Sequence, residues 1–226
     1  MRLAVVAGAP STGKTSVVIQ ALAHLASLRT GVVKFDCLAS DDVARYEAHS
    51  IPAVAGLAAG QCPDHYFASN IPQVFDWGEA HGFDLLIAES AGLCNRCAPY
   101  IEGVPAICVC DSLAGLNAPH KMGPLLKTAD LVVVTKGDMV SQAEREVFAY
   151  RLEALAPRAR VIAVNGLTGQ GALQLAGFLR TAPAIDTLSE RPLRFSTPSA
   201  LCSYCLGERL LGEAHQMGNL RRMELA

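Results

Sequence analysis

Residues 8–15 read Gly-Ala-Pro-Ser-Thr-Gly-Lys-Thr, and every fixed position of G-x-x-x-x-G-K-[ST] is filled. The run follows a short apolar stretch, Leu3–Ala7, and opens a helix-like stretch at Lys14. That context is what the chemistry requires. Glycines at 8 and 13 let the backbone curl so that its N–H groups point inward at phosphate oxygens, and the helix N-terminus adds the positive end of its dipole. Ser11, Thr12 and Ser16 belong to the same cradle. Lys14 is expected to reach the β- and γ-phosphates as the catalytic cation, and the Thr15 hydroxyl to ligate Mg²⁺.

Working outward, short apolar runs alternate with helix-like stretches. Leu3–Ala7, Gly31–Phe35, Leu85–Ala88, Pro105–Val109, Leu131–Val134 and Val161–Val164 are nearly continuous in hydrophobicity, as parallel strands buried on both faces should be. Helices are expected near Lys14–Ser27, Asp42–His49, Asp64–His81, Ser141–Ala154 and Gln170–Thr181. The alternation predicts an α/β fold: a doubly wound, mostly parallel sheet flanked by helices. Residues 1–184 form this domain. After Ala182 the texture becomes linker-like, so residues 185–226 are expected to be a short C-terminal extension with its own Cys-x-x-Cys.

Composition narrows the class. With 226 residues and 51% hydrophobic content the chain can bury one good-sized core, which excludes a disordered or collagen-like polymer. Nineteen Lys and Arg against 21 Asp and Glu give a net charge of -2, so no basic field is available for a nucleic-acid backbone. The apolar run before Gly8 is too short for a secretory h-region, and no run is long enough to cross a membrane. The expectation is a cytoplasmic chain with neither nucleic acid nor membrane as partner.

The base specificity is written after a Val-rich strand. Thr135-Lys136-Gly137-Asp138 fits [NT]-K-x-D, in which an Asp carboxylate accepts hydrogen bonds from the N1–H and 2-amino groups of guanine. Adenine offers no such pair, so Asp138 predicts GTP over ATP. Thr135 lacks the amide of the commoner Asn, so a hydroxyl would brace the loop instead. Gly166 and Leu167, in Asn165-Gly-Leu-Thr-Gly-Gln-Gly171, resemble the loop that backs the base. Two carboxylates complete the expected chemistry. Glu89, delivered by a strand, and Asp36, at the end of the second strand, are candidates to bind Mg²⁺ or orient its water, and Gly92 would offer an N–H to the γ-phosphate. Read alone, either carboxylate is equally a helix cap or a solvated group.

Eight cysteines in a chain expected to stay reduced require individual reading. Cys94-Asn-Arg-Cys97 and Cys202-Ser-Tyr-Cys205 are two Cys-x-x-Cys pairs. They could share one tetrahedral zinc or a four-cysteine iron–sulfur cluster, meet symmetry mates across a dimer, or simply fasten the tail. Cys37 is either a switch ligand or a bystander beside Asp36, and Cys108 and Cys110 read as buried core.

Together these pieces resemble the metallochaperone GTPases of nickel-enzyme maturation, the family of HypB and UreG. Asp36 through Asp42-Val43-Ala44-Arg45 resembles the family's Asp segment, and Glu89-Ser90-Ala91-Gly92-Leu93-Cys94 its Glu-Asn-Val-Gly strand end with a trailing Cys. Gly60-Gln61-Cys62-Pro63-Asp64-His65 resembles its Cys-Pro-His metal motif, with Asp64 intervening, and Thr168-Gly169-Gln170-Gly171 its Thr-Gly-Glu-Gly. The resemblance implies a GTPase that dimerises with GTP and holds Zn²⁺ or Ni²⁺ near the dimer interface for a client enzyme; with no Arg finger evident in the sequence, hydrolysis is expected to be slow and partner-stimulated. Cys62, His65 and Cys94 are the ligands it implies, and thiolate and imidazole suit both metals. A GTPase gating a corrinoid or iron–sulfur cofactor, and a non-catalytic metal-sensing module, are the rival readings.

Overall fold

In the structure, a computed structural model, residues 1–92, 97–195, 208–218 and 220–225 are described. Seven parallel strands form one sheet: β1 Arg2–Ala7, β2 Thr30–Asp36, β3 Ala53–Leu57, β4 Leu85–Glu89, β5 Ala106–Asp111, β6 Leu131–Thr135 and β7 Arg160–Ala163. Their spatial order is β3-β2-β4-β1-β5-β6-β7. Seven α-helices are described: α1 Lys14–Leu22, α2 Asp42–Glu47, α3 Pro63–Ala80, α4 Ala118–Lys121, α5 Gly123–Lys127, α6 Gln142–Leu155 and α7 Ala172–Arg180. The chain is thus the doubly wound α/β fold that its rhythm predicts.

Strand composition explains the layering. Inner strands such as β1 and β4 are apolar on both faces because helices cover both. On one face Ala4, Val6, Val32 and Ile87 pack with Val17 and Val18 of α1, Tyr46 of α2 and Leu175 of α7. On the other, Leu3, Val5, Val33 and Leu86 pack with Phe67, Ile71 and Phe75 of α3 and with Phe148 and Leu152 of α6. Burying each large side chain contributes about 1.5–3 kcal/mol, so these two clusters supply the main drive to fold.

Three elements escape the hydrophobic pattern. Strand β3 is an edge strand of small, half-buried residues, Ala-Val-Ala-Gly-Leu, which gives neither a β-branched run nor clean alternation. Helices α4 and α5 span four and five residues and each begins beside a proline, too short for a periodicity to develop. By contrast α6 begins where Ser141 accepts from the Glu144 N–H while the Glu144 carboxylate accepts from the Ser141 N–H. This reciprocal cap is legible from Ser-x-x-Glu.

Among the described residues the extension adds no strand to the sheet, and it packs against the domain. Leu188, Leu193, Leu211 and Met223 are buried in the same cluster as α3. Asn70 of α3 donates to the Arg221 carbonyl at 2.9 Å and accepts from the Met223 N–H at 2.8 Å. Arg194 grips Asp130 with two nitrogens, each at 2.8 Å. No helix among the described residues is long and apolar enough to cross a membrane.

Candidate functional site

The site lies at the carboxyl ends of β1, β2, β4 and β6, around the turn from β1 into α1. Gly8 has φ 149° and Gly13 φ 89°. A Cβ on Gly8 would run into the Val109 carbonyl, so neighbouring strand β5 forbids any other residue there. Lys14 is 5% exposed and donates to the Gly8 and Ala9 carbonyls, each at 3.0 Å. Burial pulls its pKa down to about 8 against the opposing pull of Glu89. Gly92 closes over the same loop. With φ 76°, it lies so close to Gly8 that a Cβ would strike the Gly8 carbonyl.

The [NT]-K-x-D segment locks the loop from the side. Thr135 Oγ1 donates to the Thr12 carbonyl at 2.6 Å, which is the hydroxyl brace the sequence led us to expect. Lys136 Nζ donates to the Ser11 carbonyl at 2.8 Å and pairs with Asp111 at 2.5 Å. Asp138 is exposed beyond them, beside a cavity of about 460 Å³ that Asn165 and Gln170 also line. Gln20 of α1 holds the Gly166 and Leu167 carbonyls, and Leu167 itself is 86% exposed. Gly166 packs directly on Ser16. Lys14, Thr15, Glu89, Gly92, Thr135 and Lys136 gather around one loop, and Asp138 lies exposed two residues beyond Lys136.

Glu89 is the hub of this cluster and has no exposed surface. Its Oε1 accepts from Thr15 Oγ1 at 2.9 Å and from Lys34 Nζ at 2.6 Å, and its Oε2 accepts from the Tyr46 hydroxyl at 2.5 Å. Lys34 also pairs with Asp42 Oδ2 at 2.9 Å. Burial opposes the Lys34 charge, but Glu89 and Asp42 outweigh it and leave its pKa raised. The Asp42 carboxyl is held below its usual range because Lys34, Thr15 and Arg45 overcome the opposing effect of burial. Burial first, and then the Glu89 charge, push the Tyr46 hydroxyl far up, so it stays a donor.

Asp36 is the last residue of β2. Its Oδ1 accepts from the Cys37 N–H at 2.8 Å, capping its own loop, while Asp42, six residues on, reaches Lys34 and Thr15. Asp36 remains close enough to Lys14 to act on its charge. Sequence reasoning missed Asp42, Lys34, Tyr46 and Asp111 as site residues. The available signal was register: Lys34 and Glu89 are paired positions on β2 and β4 and share a face.

The thiols gather next door. Cys62 caps α3, and Asp64 and His65 in its first turn are buried, at 3% and 4% exposure. The Ala58 and Ala59 N–H groups donate to the Asp36 and Cys37 carbonyls at 2.8 and 2.7 Å, laying the β3–α3 loop against the end of β2. Burial pushes the Cys37 thiol up, assisted by the charges of Asp36, Asp64 and Cys62. Burial likewise raises the Asp64 carboxyl to about 7, the Cys62 charge adding to it and a hydrogen bond with buried Cys97 opposing it. Asp64 Oδ2 has no hydrogen-bond partner among the described residues. Among these residues no three His, Cys, Asp or Glu side chains converge closely enough to hold a metal ion. Cys94, Cys202 and Cys205, three of the six expected ligands, lie outside the described residues. Cys108 and Cys110 are core, their sulfurs 3.8 Å apart.

A phosphate loop at the end of the central strand, with a buried acidic strand end beside its Thr, defines a P-loop NTPase. Residues 2–163 match the family described as CobW/HypB/UreG, nucleotide-binding domain. The chain belongs to that family, and its likeness to HypB and UreG is that of a relative. It is 44% identical over 226 residues to an uncharacterised protein of Methanocaldococcus jannaschii, covering 99% of this chain and 97% of that one. It is 29% identical over 190 residues to urease accessory protein UreG 3 of Streptomyces griseus, covering 77% and 75%. Among solved structures, HypB from Helicobacter pylori in complex with nickel superposes with a TM-score of 0.65 at 19% identity, over 83% of this chain and 91% of that one, a likeness of fold.

Proposed function

We propose that this chain hydrolyses GTP to GDP and phosphate and uses the nucleotide state to control a nickel or zinc ion passed to a client metalloenzyme during its maturation. The observation that carries this reading is the segment 36–47, which touches both regions. At one end Cys37 stands in the field of Cys62 and Asp64. At the other, Asp42 and Tyr46 are tied to Lys34 and Glu89. A rearrangement at the phosphate loop therefore pulls on the loop that holds a thiol, and linkage makes the effect mutual.

The chemistry follows from the residues. The curled backbone of residues 8–13 and the start of α1 would cradle the phosphates, with Lys14 giving up its carbonyl contacts for phosphate oxygens. Thr15, Glu89 and Asp42 form a hard oxygen set around the Lys34 ammonium, which supports Mg²⁺ binding there. Bound there, it would neutralise charge developing on the transferred phosphoryl group. Gly92 would offer its N–H to the γ-phosphate, and Asp36 or Glu89 would orient water. Asp138 would select guanine, with the Lys136 stem over the base and Gly166 and Leu167 behind it.

For the metal, Cys62, His65, Cys94 and Cys97 are the proposed ligands, with Asp64 as a neighbouring oxygen donor and Cys202 and Cys205 as a second half-site. The UreG relative is a urease accessory protein and the HypB structure holds nickel, which supports this assignment. We infer a cytoplasmic homodimer that meets an accessory protein or client enzyme. Steady-state phosphate release tests the first half of the proposal: turnover with GTP, slow without a partner and weaker with ATP, is expected. Equal turnover of both nucleotides, or none, would overturn it.

A further inference from the structure

Lys34 is a buried cation to which nucleotide hydrolysis assigns no task. It is 4% exposed and stands on β2 directly across from Glu89 on β4. Below them Val32 and Ile87 continue the same face as apolar core, so the pair is the charged top of a hydrophobic column. The neighbours leave Lys34 nowhere else to go. Its ammonium bridges Glu89 Oε1 and Asp42 Oδ2, while Thr15 and Tyr46 take up further capacity of Glu89. These two carboxylates are the hard oxygens that, with Thr15, a divalent cation would use. An ammonium at 2.6 Å and a doubly charged ion cannot hold the same oxygen without strong repulsion at short range.

We propose that Lys34 and Mg²⁺ exchange on Glu89 and Asp42, Lys34 being a built-in counter-ion that keeps divalent cations out until nucleotide phosphates arrive. Its positive charge stabilises a fully buried carboxylate that would otherwise be strongly unfavourable. Phosphate oxygens offer the displaced ammonium new partners, which makes cation entry depend on nucleotide. The exchange also hands Asp42, and with it the start of α2, from Lys34 to the cation, so Lys34 positions the segment 36–47 until the cation enters. This deepens the GTPase reading and rests on it for what loads the site.

The test is Mn²⁺ binding to the full chain without nucleotide, read by electron paramagnetic resonance. Wild type should bind Mn²⁺ weakly and Lys34→Met at least about tenfold tighter, a difference of about 1.4 kcal/mol. Lys34→Arg keeps the charge and should behave as wild type. The double variant Lys34→Met with Glu89→Gln removes both charges and should lose the gain. Equal Mn²⁺ affinity in wild type and Lys34→Met, or a gain that survives Glu89→Gln, would overturn the exchange. Should Lys34→Met fail to fold in chelator, far-ultraviolet circular dichroism recovered by Mn²⁺ supports the proposal and no recovery overturns it. Binding of a fluorescent GTP analogue to wild type is read separately. Its failure sinks the nucleotide assignment while leaving the nucleotide-free Mn²⁺ result to stand or fall alone.

Discussion

Glu89 and Asp64 are both buried carboxyl groups near the ends of neighbouring elements, and the molecule treats them in opposite ways. Glu89 accepts from Thr15, Lys34 and Tyr46, so its charge is compensated within the fold. Asp64 meets the Cys97 thiol and the adverse charge of Cys62, keeps Oδ2 without a hydrogen-bond partner among the described residues, and has its pKa pushed up to about 7. Buried polar atoms without partners are costly. The first group can act only by exchanging partners; the second gains by acquiring one. That difference gives the segment between them a direction, from a paired trigger at the phosphate loop to an under-paired receptor among the thiols.

The sharpest way to break this comparison is at the trigger. Lys14→Ala removes the cation aimed at the phosphates and should cut GTP turnover by about a thousandfold or more, measured as phosphate release. An unchanged rate would remove the phosphate loop from the account. Next, Asp138→Asn should lower affinity for GTP about a hundredfold and raise that for xanthosine triphosphate, whose 2-oxo group accepts from the new amide. Titration calorimetry with both nucleotides reads the swap, and retained GTP preference would move base recognition elsewhere.

Acidity gives a third, smaller effect. The folded pKa of Lys14 is lowered to about 8, so below that pH the buried charge disfavours the fold, and this cost is relieved as pH rises from about 8 towards 10.5. Binding runs the other way, because phosphates need the ammonium. Nucleotide affinity should therefore fall by about tenfold between pH 7 and pH 9, while the protein's stability rises over the alkaline window. Calorimetry in buffers of different ionisation enthalpy should show proton uptake on binding above pH 8. A pH-independent affinity would mean that Lys14 keeps its charge without help.

The smallest effect sharpens the receptor side. Asn70, on α3 beyond Asp64 and His65, ties that helix to residues 221 and 223. Asn70→Ala should lower stability by about 1–2 kcal/mol, chiefly through loss of the bonds to Arg221 and Met223, with GTP turnover within about twofold of wild type. Denaturant unfolding measures the first and phosphate release the second. A turnover loss as large as that of Lys14→Ala would show that the extension reaches the trigger itself.

The two regions also differed in how far the sequence exposed them. The phosphate loop was legible because its geometry fixes residue types at fixed spacing: Gly8 under a strand carbonyl, Gly13 at a left-handed turn, Lys14 and Thr15 opening α1. Gly92 was found by its place after β4, and its contact with Gly8 gives the steric reason. Lys34 stayed hidden within Val32-Val33-Lys34-Phe35, since a lone Lys in an apolar strand acquires meaning only from the strand beside it. Tyr46 reads as ordinary helix core until its hydroxyl is seen on Glu89. Asp36 drew attention by ending a strand, although helix α2, not the strand, carries the carboxylate to Lys34. Pairing across elements, not local pattern, sets these roles.

The claim that joins the two regions is that nucleotide state alters metal affinity through residues 36–47. Nickel and zinc affinities measured anaerobically on the full chain with GDP and then with a non-hydrolysable GTP analogue test it directly, in wild type and in Cys62→Ser. The account predicts affinities that differ by about tenfold or more between nucleotides in wild type, with the difference lost in Cys62→Ser. Metal binding indifferent to both nucleotide and Cys62 would contradict it.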